Sequence, residues 1–265
     1  MSAVTVLAAS GGGVFTPPGA ELFDFPPLFA GGPEWLTKPV ALAILGALLT
    51  CAIAWSAFAK PKLVPRGMQN VGEIGYTFVR DQVARPFLGK DAERWMPLLL
   101  SMFVLIWVWN LFAVIPVIQF PVASHIAFPA VLALSVYFLK IYLGMRHQGP
   151  VKYFTNLIPK GLPKPIYVLL VPIEYLSTFV LAPFTHAVRL FANMFAGHLI
   201  LAFFSLVGYW FLIENPTLLG APVGVLGVVM TIAMTAFELF IQFLQAFLFT
   251  MLAAMYIGSG LHADH

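Results

Sequence analysis

The sequence predicts an all-α integral membrane protein with about five membrane helices, one amphipathic interfacial helix, and a final pair of long, strongly tilted helices joined as a hairpin. Of its 265 residues, 60% are hydrophobic and only 9% are charged, whereas an ordinary soluble domain carries about 25% charged residues. The mean hydropathy is +0.91. Several apolar runs reach the roughly 20 residues that a helix needs to cross a bilayer.

The charge balance points to membrane topology rather than to a ligand. The formal net charge is +3, but the basic residues lie in loops and form no stripe interleaved with aromatic rings, which argues against nucleic-acid binding. The one cysteine, Cys51, excludes an internal disulfide and a cysteine-based metal cluster. We predict no metal and no cofactor.

The chain divides into an extramembrane N-terminal tail, residues 1–35, and a single membrane domain, residues 36–265. The tail combines prolines with acidic residues, which is typical of an extended or interfacial segment. Residues 66–90 alternate charged and apolar side chains, as an amphipathic helix in the membrane interface does. The predicted helices are 36–59, 66–90 (interfacial), 95–116, 127–147, 166–213 and 217–260.

The last two stretches are too long for upright helices. At 1.5 Å per residue, 166–213 would extend about 70 Å. It is either two spans with a break near Pro183 or one strongly tilted helix, although ordinary tilts are only about 20°. Asn215 and Pro216 separate the two stretches, so they form a hairpin.

Loop charges set the orientation. Lys and Arg are concentrated after the first and third spans, whereas the loops at 118–124 and 214–222 contain none. The positive-inside rule therefore places the N-terminus outside and the C-terminus in the cytoplasm. Reading either long stretch as two spans would put these loops on inconsistent sides, which favours the single tilted helix.

One cation stands out in the apolar second half. Arg189 is the only Lys or Arg after Lys164, and an ionisable side chain inside a membrane span indicates a functional site facing a partner or a water-filled cavity. At 100° per residue, His186 and Asn193 fall on roughly the same helix face as Arg189, while His198 points to nearly the opposite side. The alternative for Arg189 is a snorkelling residue at the headgroups.

The last stretch carries its own polar face, formed by Glu238, Gln242 and Gln245 at i, i+4 and i+7. Arg189 stays protonated at any ordinary pH, and a fixed cation favours the ionised form of a carboxylate that comes near it. Histidine and glutamate bind and release protons, which suits a relay. The alternative for each of these side chains, and for His186, is a structural hydrogen bond within the bundle.

Three classes of function remain open at this point. The first is a proton-conducting subunit of a larger machine; no Gly-rich Lys-Ser/Thr phosphate loop is present, so nucleotide chemistry would belong to other chains. The second is a stand-alone secondary transporter or channel, for which internal repeats are expected and no clear repeat is seen. The third is an intramembrane enzyme, but the sequence lacks a His-Glu-x-x-His pair and a Gly-x-Ser-x-Gly elbow.

Three runs in the last third of the chain carry a family pattern: Arg189-Leu-Phe-Ala-Asn193-Met-Phe-Ala-Gly197-His198, Phe237-Glu238 and Gln245-Ala-Phe247. With them the chain resembles subunit a of the F-type ATP synthase, the membrane stator of a rotary motor. The order of spans and loops agrees over nearly all of the chain, and Asn110-Leu111 and Pro116 also fit the family's second span.

The resemblance implies a proton-translocating stator with two aqueous half-channels that load and unload carboxylates on a rotating ring of c subunits. Arg189 would face the ring, with Gln245 near it, and the proton pathway would include His198, Glu238, Asn193, Glu174 and His186. It implies peripheral-stalk (b-type) subunits as further partners, and a bacterial plasma membrane rather than an organelle inner membrane as the location.

Three positions depart from the usual pattern of that family. Many bacterial members have glutamate at the position of His198 and histidine at that of Glu238. This chain therefore keeps one acid and one imidazole, with their positions exchanged. An acid that often precedes the arginine corresponds to Glu174 or Tyr175. An acid that often follows the asparagine of the second span is replaced by Ala113.

Overall fold

The computed structural model describes residues 15–28, 33–59, 61–115, 118–157 and 164–261. Within these ranges the chain is helical, and extended pairing is limited to one isolated β-bridge between Pro27 and Thr37. The first part of the predicted tail, 1–14, lies outside the described residues. The α-helices are α1 (Lys38–Phe58), α2 (Met68–Val79), α3 (Arg85–Leu88), α4 (Ala92–Leu111), α5 (Ala127–Gln148), α6 (Pro150–Asn156), α7 (Lys164–Leu176), α8 (Ala182–Tyr209) and α9 (Ala221–Leu261).

Five helical stretches in the described part are long and apolar enough to cross a membrane. This confirms the prediction of an all-α membrane protein with five membrane helices. Their apolar side chains remain exposed along much of their length, as is typical of helices that face a bilayer or partner chains. The stretches are Lys38–Phe58, Met68–Leu111, Ala127–Gln148, Ile166–Glu214 and Ala221–Leu261.

The charged segment that precedes α4 is helical and paired within itself. It runs through α2, a π-helical turn at Arg80–Ala84 and α3, and it ends at Gly89, whose φ of 53° requires a glycine-like backbone. Asp81 accepts from Arg80 at 3.1 Å and from Arg85 at 2.9 Å. A 3₁₀ turn at Gly89–Asp91 joins this segment to α4, and the position of the segment in the membrane interface stays a prediction.

The stretch from 164 to 214 is one continuous helical path. A π-helical turn, Ser177–Leu181, links α7 to α8, and a second one, Trp210–Glu214, follows α8. The first π turn lies directly before Pro183, whose missing N–H leaves a carbonyl of the preceding turn without its usual donor. The change in hydrogen-bond spacing lets the helix pass the proline without a break. Of the two readings of this stretch, the structure therefore has the single helix, and its tilt stays a prediction.

The helices are shared between two compact units. One consists of the chain up to Ala47, Trp107–His125 and Ala192–Leu244; the other consists of Leu48–Ile106, Ile126–Phe191 and the chain from Gln245 onward. We call them the first and second unit. A single membrane domain at 36–265 stays a prediction.

Small residues bring the two long helices together in the first unit. A Cβ added to Gly227 of α9 would lie 2.6 Å from the backbone nitrogen of Gly208 of α8 and 3.1 Å from the carbonyl oxygen of Phe204. These partners are backbone atoms, which cannot rotate away. Glycine at this crossing therefore permits a helix spacing that any larger residue prevents.

We expect Gly227→Val to reduce the amount of assembled protein in the membrane severalfold, because overpacking of a close crossing costs about 1–3 kcal/mol or more. The measurement is the yield and thermal midpoint of the detergent-extracted complex. Gly75→Val is the matched control, since a Cβ at Gly75 meets no atom within 4 Å. Equal yields for the two variants would contradict this account of the crossing.

Candidate functional site

Arg189 lies on the exposed side of α8. Its neighbours on the helix differ sharply from it in burial: His186 is 3% exposed, and Leu190 and Met194 are fully buried, while Arg189 itself is exposed. The ion pairs found among the described residues all join side chains between Arg80 and Glu93, so Arg189 takes part in none of them. The guanidinium is presented outward from an apolar helix.

The exposed side of α8 continues beyond Arg189 as a narrow stripe. Arg189 is followed at helical spacing by Asn193, Ala196 and Ile200, all exposed. We call these four residues the arginine stripe. The predicted pathway residue Asn193 therefore shares the exposed face of Arg189. The small side chain of Ala196 on this face allows another helix to approach the backbone closely at that point.

His186, in the second unit, points into the protein rather than along the arginine stripe. Three residues on a helix are separated by about 60° around the axis, which is enough to place one side chain inside and the other outside. The His186 ring packs edge-on against Phe249, with centroids 3.9 Å apart, and lies 5.6 Å from the Tyr256 ring. Neither ring nitrogen has a hydrogen-bond partner.

A second cation lies close to these rings. The Nζ of Lys140 sits 5.1 Å from the centroid of Tyr256 and 5.8 Å from that of Tyr137, within the range of a cation–π contact. The Tyr137 hydroxyl donates to the carbonyl of Thr178 at the π turn before α8. Residues from α5, α8 and α9 thus form one polar and aromatic cluster in the second unit.

Gln245 and Glu174 also belong to the second unit. Gln245 is 3% exposed, on the buried side of α9. Glu174 is half-buried on α7. Its neighbour Tyr175 donates its hydroxyl to the carbonyl of Phe154 at 3.1 Å and stacks on Phe179. Of the two candidates for the upstream acid position, Tyr175 is therefore fixed by packing, and Glu174 is the one with an ionisable carboxylate.

His198, in the first unit, opens onto a cavity of about 300 Å³. Hydroxyl and amide side chains accompany the imidazole, and this set can carry a hydrogen-bonded chain of water. Helical spacing links the lining residues within α8 and within α9, but no sequence period links one helix to the other or to the residues at 18–22 and 113–119. Sequence reasoning therefore missed all but His198 and Ala113. The lining residues are Pro18, Leu22, Ala113, Val114, Gln119, His198, Leu201, Ala202, Ser205, Leu206, Tyr209, Thr231 and Thr235.

Glu238 and Gln242 form a buried polar pair of positions on α9, one turn apart. Glu238 is 4% exposed and Gln242 is fully buried. Both carboxylate oxygens of Glu238 and both amide atoms of Gln242 lack a hydrogen-bond partner, as does the amide of the fully buried Asn110. Unpaired polar groups at such depth cost about 1–3 kcal/mol each. Groups of this kind are retained where function requires them.

Comparison with known proteins gives one consistent result. The family model described as ATP synthase A chain matches residues 40–258. A protein named ATP synthase subunit a from Streptomyces lividans is 44% identical over 257 residues, covering 95% of this chain and 89% of its own length. Its namesake from Frankia alni is 43% identical, with 99% and 91% covered, and that from Rhodococcus erythropolis is 40% identical, with 98% and 94% covered.

Proposed function

We propose, from the premise that this chain belongs to the ATP synthase A chain family, that its Arg189 and two sets of buried polar residues carry protons between the two sides of the membrane and a c-subunit ring. The family membership confirms the resemblance read from the sequence. The chain is thus a proton-translocating subunit in the membrane sector of an ATP synthase, within a complex of other ATP synthase subunits. A stand-alone transporter is not favoured.

One observation carries the proposed role of Arg189: a permanently charged side chain is exposed on an apolar helix surface. Leaving such a charge in lipid is costly, by about 2.5–3.5 kcal/mol on insertion scales. A moving partner that brings a carboxylate to this surface removes the cost. Since Arg189 does not give up its proton under ordinary conditions, it stabilises the ionised carboxylate and takes no part in proton exchange itself.

The outer route uses the first unit. Protons enter through the cavity of His198 and pass to the ring by way of His198 and Glu238, both of which bind and release protons. A ring carboxylate accepts the proton and becomes neutral. In that state it moves through lipid at little cost, because only the charged form is strongly disfavoured there.

The inner route uses the second unit. A protonated carboxyl that returns to the arginine stripe meets the field of Arg189, ionises, and releases its proton toward Gln245, His186 and Glu174. The fixed cation also prevents direct transfer of a proton between the two routes. Each proton that moves down the gradient contributes about 2.3 kcal/mol per 100 mV of membrane potential.

The remaining partners and the orientation follow from the same proposal. Peripheral-stalk subunits of the b type hold the chain stationary against the ring, and nucleotide chemistry takes place on other chains. The protein is a multi-pass membrane protein; its N-terminus lies outside and its C-terminus in the cytoplasm of a bacterial plasma membrane, as the loop charges indicate.

Cysteine cross-linking tests whether the arginine stripe faces the ring. In a Cys51→Ser background, we expect Ala196→Cys to form a disulfide with a cysteine placed beside the carboxylate of a copurifying two-helix subunit. Met194→Cys is the matched control, because Met194 lies on the same helix but is fully buried. The readout is the cross-linked band on a non-reducing gel. Cross-linking from the control alone, or from neither position, would contradict the proposed interface.

A further inference from the structure

The short segment before α1 packs into the first unit by its aromatic residues. We call residues 15–28 the N-terminal strap. Phe23 is the last residue of a 3₁₀ turn at Ala20–Phe23 and is only 4% exposed. The ring of Phe23 lies 4.5 Å from that of Phe195, 6.0 Å from the His198 imidazole and 6.2 Å from Phe120, measured between centroids. The strap thus places a buried ring directly against His198.

A second set of contacts fixes the backbone of the strap. The His125 Nε2 lies 3.0 Å from the carbonyl oxygen of Phe23, and the Phe120 ring lies 5.7 Å from the His125 ring. Because a carbonyl only accepts, this hydrogen bond requires the His125 tautomer with a proton on Nε2. No sequence pattern links this histidine to Phe23, since the two residues lie about a hundred positions apart along the chain.

Lys38, the first residue of α1, holds the next part of the strap. Its ammonium group donates to the carbonyl of Ile118 at 3.0 Å. The same group lies 5.0 Å from the centroid of Phe25 and 5.8 Å from that of Phe120, and the Phe25 ring packs edge-on against Phe120 at 5.0 Å. A partly desolvated cation between two rings is worth more than an exposed one.

The strap also supplies part of the cavity wall. Pro18 and Leu22 line the cavity together with His198, Ser205 and Thr235. Near the start of the strap, the Phe15 ring packs against Phe203, Trp210 and Phe211 at centroid distances of 6.1, 6.2 and 6.5 Å. The strap therefore lines the cavity through Pro18 and Leu22 and is held beside it by the contacts of Phe15.

We infer that the N-terminal strap is a wall of the outer proton route and that Phe23 is a positioning residue, which holds the His198 imidazole in the orientation required for proton transfer. This inference rests on the proposed role of His198 in that route. Phe23 exchanges no proton; its ring occupies the space into which the imidazole would otherwise rotate. Lys38 and His125 act indirectly, because they fix the strap that carries Phe23.

The experiment measures proton flux through the assembled complex in membrane vesicles under an imposed potential. We expect Phe23→Ala to slow the flux about tenfold, a fraction of the 10²- to 10⁴-fold that a positioned proton carrier contributes. Phe23→Leu keeps an apolar side chain in the same space and should restore most of the flux. Leu28→Ala is the matched control at the end of the strap, since Leu28 is 45% exposed and is not among the residues that line the cavity, and should leave the flux unchanged.

A double variant separates positioning from general damage. If Phe23 acts through His198, the flux of Phe23→Ala with His198→Ala equals that of His198→Ala alone. A further tenfold loss in the double variant would overturn the inference, because the two effects would then be independent. The amount of assembled complex is measured for each variant, and flux is expressed per complex.

Two more results keep the inference distinct from the proposed function. If His198→Ala leaves the flux unchanged, the proposed outer route fails, and the inference with it. If His198→Ala slows the flux but Phe23→Ala does not, only the inference fails. Should Phe23→Ala prevent assembly, Phe25→Ala replaces it; this change loosens the strap at Lys38 without removing the ring beside His198, and we expect a flux about threefold slower that is again absent in the His198→Ala background.

Discussion

Replacing Arg189 by alanine is expected to abolish coupled ATP synthesis, to below about one hundredth of the normal rate. Without the cation, an ionised ring carboxylate at the arginine stripe has no counter-charge, and its ionised form becomes unfavourable by several kcal/mol. The carboxyl then stays protonated and is not unloaded. Arg189→Lys should also be severely impaired, because a lysine in an apolar setting readily loses its proton, whereas arginine does not.

The measurement is ATP synthesis in inverted vesicles, with passive proton leak recorded in parallel. The leak should rise in Arg189→Ala, since the barrier between the outer and inner routes is lost together with the cation. Thr185→Ala is the control one turn earlier on the helix: Thr185 is exposed, and its hydroxyl already donates to the carbonyl of Leu181 at 2.7 Å. Coupled synthesis at a normal rate in Arg189→Ala would refute the proposed mechanism.

The fold class was predictable because composition and helix length are local properties. Five apolar stretches suffice to identify the spans. Because the basic loops are expected on one side of the membrane, the sequence also favours an unbroken helix across Pro183, and the structure has that helix. The π turn at Ser177–Leu181 was not predictable. It depends on how the chain satisfies its backbone carbonyls next to a proline, and helical periodicity carries no information about that choice.

A site residue was predictable where its residue type alone, in its sequence context, indicates a function. An arginine in an apolar span indicates a function whatever surrounds it, and Arg189 is exposed as that function requires. Periodicity placed His186 on the face of Arg189, whereas His186 is buried and Arg189 is exposed, because an offset of 60° is enough to separate the two sides of the helix. The contacts of Lys38 with Phe25 and Ile118 could not be predicted from the sequence, because no sequence period indicates which of these segments pack together.

Replacing Glu238 by glutamine is expected to slow proton flux about a hundredfold, within the range that a positioned proton carrier contributes, while leaving assembly intact. The carboxylate is buried, and neither of its oxygens has a hydrogen-bond partner. Glutamine has nearly the same shape as glutamate, so the packing around this position is kept. It cannot, however, bind and release a proton. Proton flux per assembled complex is the measurement, and Glu214→Gln, at an exposed position, is the matched control.

Exchanging the two residues tests whether Glu238 acts as one half of a pair with His198. His198→Glu alone leaves two acids, and Glu238→His alone leaves two imidazoles, so each single variant should conduct poorly. The double variant again has one acid and one imidazole. If proton transfer requires one of each, whichever position holds it, the flux of the double variant should exceed that of both single variants at least tenfold. A double variant no better than the worse single variant would mean that the two side chains do not work together, and Glu238 would then act with its own neighbours on α9.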